Sequence, residues 1–135
     1  MRGNMRKKNS TILFIDDETS WLEAIRMAVG EEPLTIITAA SGEEALRKIR
    51  QRKPDLILSD VRMPEMNGFD LFEKVRSNPK FKTVPYVFMS SIDDFDAKRT
   101  AKLIGADGYI EKPFDLESVK RVVLDLLLRF KGTRR

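Results

Sequence analysis

The chain has 135 residues, 41% hydrophobic and 34% charged, with a net charge of +4 and neither cysteine nor histidine. That length suits one ordinary domain with its own hydrophobic core. The missing residue types exclude disulfides, thiolate nucleophiles, zinc–thiolate sites and histidine-based triads, so any chemistry falls to carboxylates, hydroxyls, lysine or a bound ion.

Residues 1–10 hold Arg2, Arg6, Lys7 and Lys8 and no acid, and read as a solvated basic tail. Thr11–Ile15 (TILFI) is a β-rich run that stops at Asp16-Asp17. Trp21, Leu22, Ile25, Ala28 and Val29 then recur at helical spacing, and Glu31-Glu32-Pro33 ends the helix. Leu34–Thr38 (LTIIT) is a second strand. Ser41-Gly42-Glu43-Glu44 has the S-x-x-E form of a capping box, opening a helix with Ala45, Leu46 and Ile49 inward. Pro54 breaks it, and Asp55–Ser59 (DLILS) follows as strand three, ending at Asp60. Phe69–Arg76 is a short helix, and Ser77–Pro85, with two prolines, is a loop. Tyr86–Met89 (YVFM) is continuously apolar, as in the buried strand of a parallel sheet. Ala97–Ile104 is helical, and Gly105–Gly108 turns the chain into strand five, Tyr109–Glu111. In the last helix Val119, Val122, Val123, Leu126, Leu127 and Phe130 make a wide apolar stripe. Residues 131–135 are a basic tail or the start of a linker.

The charge belongs to the ends. Between 11 and 128 there are 17 basic and 21 acidic residues, a net of −4. No apolar run approaches the ~20 residues of a membrane span and no secretory h-region opens the chain, so a cytoplasmic location is expected.

Five strand–helix units imply an α/β fold with a parallel sheet covered on both faces, and ligands on such sheets bind beyond the strand carboxyl ends. Asp16-Asp17, Asp60, Ser90 and Lys112-Pro113 stand there. If the sheet order reverses between strands one and three, three carboxylates meet at one mouth, where they repel unless a cation intervenes. Oxygen ligands alone suit a hard ion, Mg2+ before Ca2+, and Mn2+ meets the same requirements. Lys112 and Ser90 add an ammonium and a hydroxyl, a set complementary to a phosphoryl group. Asp60 is the best carboxylate to accept one.

Over about Thr11–Phe130 the chain resembles the receiver domain of two-component response regulators. The resemblance is carried by Asp16-Asp17 after TILFI, by DLILSDVRMPEMNG from Asp55 to Gly68, by FMSS containing Ser90, by GADGY from Gly105, and by EKPF with Lys112-Pro113. It implies a flavodoxin-like (βα)5 three-layer sandwich with strand order 2-1-3-4-5, occupying residues 11–130. It also implies that Asp60 is the phosphoacceptor and that Asp17, Asp60 and the backbone carbonyl of Arg62 ligate Mg2+, with Asp16 acting largely through water. Ser90 then bonds the phosphoryl oxygen and Lys112 pairs with the acyl phosphate. Tyr109 matches the aromatic switch position, which turns inward as Ser90 moves, and Pro113 matches a cis-proline that aims the lysine. The implied partners are a sensor histidine kinase or phosphotransfer protein and a downstream protein target or covalently linked output domain. A phosphorylation-dependent homodimer is a further expectation; a membrane partner is not.

Arg62, two residues past Asp60, is expected to lean over the site and alter access of attacking water, changing phosphoryl lifetime in Arg62→Ala. Ser91 leaves room for the phosphoryl group. Asn67 replaces the aspartate more common before the glycine, with no mechanism attached. Three other functions meet obstacles or make distinct demands in this sequence. An aspartate-nucleophile, Mg2+-dependent phosphatase generally needs a second acid where Arg62 stands. A flavodoxin-like cofactor binder would find Asp16-Asp17 repelling its phosphate. A nucleic-acid binder would act through the basic tails with salt-dependent affinity. The reading is a signalling switch that catalyses only its own phosphorylation and dephosphorylation.

Overall fold

A computed structural model describes residues 9–30 and 33–133. Strand and helix alternate as β1 (Ser10–Ile15), α1 (Thr19–Val29), β2 (Leu34–Ala39), α2 (Gly42–Gln51), β3 (Leu56–Asp60), α3 (Gly68–Arg76), β4 (Tyr86–Ser91), α4 (Phe95–Leu103), β5 (Gly108–Lys112) and α5 (Leu116–Thr133). All neighbours pair in parallel, in the order β2-β1-β3-β4-β5. The expected α/β architecture and strand order are therefore present. With β2 and β3 flanking β1, the crossovers diverge at the β1/β3 boundary, and a crevice opens there at the carboxyl ends.

The pleat divides the core. Ile12, Phe14, Leu56, Leu58, Val87 and Met89 pack with Ile25 of α1 and Val119, Val123 and Leu126 of α5. Leu13, Ile15, Ile57, Tyr86 and Phe88 face Ala45 and Ile49 of α2, Leu71, Phe72 and Val75 of α3, and Ala97 and Ala101 of α4. Strands apolar on both faces are what a sheet covered twice requires.

Element ends differ from the sequence reading by a residue or two, each for a local reason. Asp60 lies inside β3 because it still pairs with Met89, and β4 and β5 run on to Ser91 and Lys112 because those two remain in register. Helix α4 starts at Phe95, two residues early, because Asp94 caps it through the Ala97 amide at 3.2 Å. The Ser41 hydroxyl accepts the Glu44 amide at 3.1 Å as expected, but the Glu44 carboxylate reaches the amide of Ala40 at 2.8 Å. A reciprocal capping box forms instead at Asn67 and Asp70, at 2.9 and 3.1 Å, which gives Asn67 its role. Most of the basic N-terminal tail (residues 1–8), Glu31-Glu32 and residues 134–135 lie outside the described residues. Ser10, expected in the tail, opens β1, and the α5 backbone continues to Thr133.

At the amino-terminal edge of the sheet two aspartates begin the pairing. The Asp55 carboxylate accepts the Thr11 amide at 2.7 Å, while the Asp55 amide donates to the Thr11 carbonyl at 2.7 Å. Asp107 repeats this with Tyr86, at 2.8 and 3.0 Å, and its carboxylate also takes Arg76 at 3.2 Å. Each carboxylate satisfies an amide in the first two residues of a strand, where the neighbouring backbone has not yet arrived.

Candidate functional site

Strands β1 and β3 end side by side, and their register carries Asp16 and Asp60 to the same mouth. Asp16, Asp17 and Asp60 each offer an oxygen, and these oxygens lie within 4.8 Å of one another. Asp16 and Asp60 are buried and Asp17 is exposed. The Lys112 ammonium arrives from the end of β5, 2.7 Å from Asp16 and 3.6 Å from Asp60. The bond from Lys112 to Pro113 is cis. One ammonium among three carboxylates leaves surplus negative charge. Burial, then the neighbouring Asp16 charge, push the Asp60 carboxyl up to about 6, against the opposing pull of Lys112. A set of oxygen ligands in mutual repulsion fits a hard divalent cation.

Two neighbours shape this mouth. Trp21 of α1 lies with its ring centre 4.9 Å from the Lys112 nitrogen and is packed on Phe114 at 4.6 Å between ring centroids. The ring face favours the ammonium charge. Gly68 starts α3 directly against the end of β3, its amide donating to the Val61 carbonyl at 2.9 Å. A Cβ there would strike the Asp60 carbonyl oxygen and lie 3.0 Å from Val61 Cα. The glycine allows α3 to begin beside the candidate phosphoacceptor.

Ser90 is placed otherwise. In the pleat of β4 it is in phase with Tyr86 and Phe88, which belong to the α3/α4 side of the core. Its hydroxyl donates to the Asp94 carboxylate at 2.7 Å, not to Asp60. Arg62, expected to lean over the site, is held by Asp94. Its guanidinium forks onto the two Asp94 oxygens, at 2.8 Å each. Above all this Arg62 contact, with Ser90 and the Ala97 amide adding to it, holds the Asp94 carboxyl well below the usual carboxylate range. The Tyr109 hydroxyl is buried already and has no hydrogen-bond partner among the described residues. Burial and then the Asp94 charge push that hydroxyl's pKa up.

The four strand ends thus bring Asp16, Asp17, Asp60 and Lys112 together, with Ser90 and Arg62 turned aside onto Asp94. Asp94 was not singled out from sequence. Its signal was an acid directly before a helix, which reads as a cap and says nothing about Ser90. In the sequence Trp21 reads only as part of an apolar helix face.

A family profile described as the response regulator receiver domain matches residues 12–124. Among curated relatives, the alkaline phosphatase synthesis transcriptional regulatory protein PhoP of Bacillus subtilis is 33% identical over 121 residues, covering 90% of this chain and 50% of PhoP. Protein PilG of Pseudomonas aeruginosa is 30% identical over 108 residues, 80% of each chain. The chain thus spans about half the length of several curated relatives it matches. Among solved structures, the chemotaxis protein CheY4 of Vibrio cholerae is 30% identical with a TM-score of 0.76, covering 91% of this chain and 99% of that one. No helix among the described residues is long and apolar enough to cross a membrane. With the profile spanning the residues from β1 into α5, this chain belongs to the response regulator receiver domain family.

Proposed function

We propose that Asp60 accepts a phosphoryl group from the phosphohistidine of a sensor histidine kinase or phosphotransfer protein. The acyl phosphate then switches the surface formed by α4, β5 and α5. The observation that carries this is the convergence of Asp16, Asp17 and Asp60 within 4.8 Å under the Lys112 ammonium. A carboxylate oxygen of Asp60 bonds to phosphorus as the donor's P–N bond breaks, and the released imidazole nitrogen takes up a proton. Asp16, Asp17 and Asp60, with the Arg62 backbone carbonyl, would hold Mg2+ or Mn2+, which when bound offsets the charge of the phosphoryl oxygens. Lys112 neutralises a further oxygen. Ser90 supplies a hydroxyl donor once it leaves Asp94, and Tyr109 follows the packing beside it. Hydrolysis of the acyl phosphate resets the switch, so the chain catalyses only its own phosphorylation and dephosphorylation. No acid stands two residues after Asp60, where a phosphatase of the aspartate-nucleophile type would need one.

A protein of this kind works in the cytoplasm. It acts on a downstream protein or a linked output domain, with homodimerisation as a further consequence of phosphorylation and no nucleic-acid contact from this domain alone. Intact mass after incubation with acetyl phosphate and Mg2+ tests the reading. One added phosphoryl group is expected, absent with EDTA and in Asp60→Asn; a folded protein that gains none overturns it.

A further inference from the structure

Ser90 has one hydroxyl proton, and in this structure it is already given away. The acceptor is an Asp94 oxygen at 2.7 Å, the spacing of a charge-assisted O–H···O bond. Asp94 is itself fixed. Arg62 forks onto both its oxygens at 2.8 Å, and the same carboxylate caps α4 through the Ala97 amide at 3.2 Å. The pleat of β4 favours this arrangement, because it sends Ser90 toward α4 while Asp60 and Lys112 face each other across the mouth. The Tyr109 hydroxyl lies buried beside the pair with no hydrogen-bond partner among the described residues, and the acceptor Ser90 uses is Asp94.

We propose that Asp94 is a positioning residue that competes with the phosphoryl group for the Ser90 hydroxyl, with Arg62 holding Asp94 in place to do so. The inference rests on the receiver reading above. Phosphorylation must then detach Ser90 from Asp94, so part of the free energy of phosphoryl binding goes into breaking that tie. The tie also connects the reacting end of β3, through Arg62, to the first turn of α4. Arg62 acts here through Asp94 and not on the attacking water.

The tie is measurable with beryllofluoride, which binds a carboxylate as a phosphoryl mimic. Its apparent affinity in the presence of Mg2+ is compared for the full chain, Asp94→Ser, Ser90→Ala and the double variant. Serine retains a capping oxygen for α4 but neither the charge nor the reach of Asp94. Asp94→Ser should bind about tenfold tighter than wild type, the factor that ~1.4 kcal/mol gives. The gain should vanish in the Ser90→Ala background. Removing a negative charge near an anionic ligand also raises affinity, but that effect persists without the Ser90 hydroxyl. An equal gain in both backgrounds, or no gain in either, overturns the proposal. Asp94→Gly, a tolerated N-cap residue with no side-chain acceptor for Ser90, repeats the comparison should Asp94→Ser lose helix content by circular dichroism. Wild-type protein that takes up no beryllofluoride overturns the receiver reading instead, and the tie's role with it.

Discussion

Asp60 sits among like charges with one ammonium nearby, and this couples its protonation to the stability of the domain. Its carboxyl is raised to about 6 by burial and then by Asp16. The folded protein therefore holds the proton more tightly than the unfolded chain, and stability falls as pH rises from the ordinary aspartate range through about 6, then levels. Asp60→Asn removes that penalty. The variant should be more stable than wild type by ~1–2 kcal/mol at pH 7.5, allowing for screening at the open mouth, with no difference below about pH 4. Urea melts at the two pH values measure it, and a gain that is the same at both would contradict the cause given. At this scale the sequence was informative for residues whose chemistry is rare at a strand end. Asp16, Asp17, Asp60 and Lys112 were legible because each stands at or just past the end of a short β-forming run. The partners of Ser90 and Arg62 were not, since both depend on which way a side chain leaves the pleat and on where α4 begins.

Elements place these residues, and the junction of β3 with α3 is the tightest of them. Gly68 leaves no space for a Cβ between the Asp60 carbonyl and Val61. Gly68→Ala must push α3 away or displace the end of β3. It should cost about 2–3 kcal/mol of stability by denaturant unfolding, and slow phosphorylation by acetyl phosphate in the fraction that remains folded. Unchanged stability would mean that α3 moves freely against the strand. The alternation of strands and helices was readable because short β-forming runs, buried in β1, β3 and most of β4 and half-buried in β2 and β5, are separated by segments of helical period. Their ends were less so. Asp55 and Asp60 bracket the same strand and look alike in sequence, yet the structure puts Asp60 inside β3 and Asp55 before it. Capping at Asn67 depends on Asp70 answering three residues later, and a glycine between them draws the eye to a turn instead.

For the whole molecule, a dication held at the acidic mouth would be a ligand of the folded state alone. Mg2+ at a hundred times its dissociation constant should add ~2.7 kcal/mol and raise the melting temperature, and EDTA should reverse it. A proton on Asp60 competes with the ion, so the rise should be larger at pH 8 than at pH 5. Calorimetric melts with and without the ion decide this; an equal shift at both pH values would place the ion elsewhere. The two ends of the sheet use the same residue type to opposite ends. Asp55 and Asp107 are occupied by backbone amides at the edge where pairing starts, whereas Asp16, Asp17 and Asp60 face one another at the edge where it stops. Durability and responsiveness are thereby assigned to different rims of one sheet. A chain of this design can be made hardier at its amino-terminal rim without retuning its signal, and its signal can be retuned at the other rim without redesigning its core.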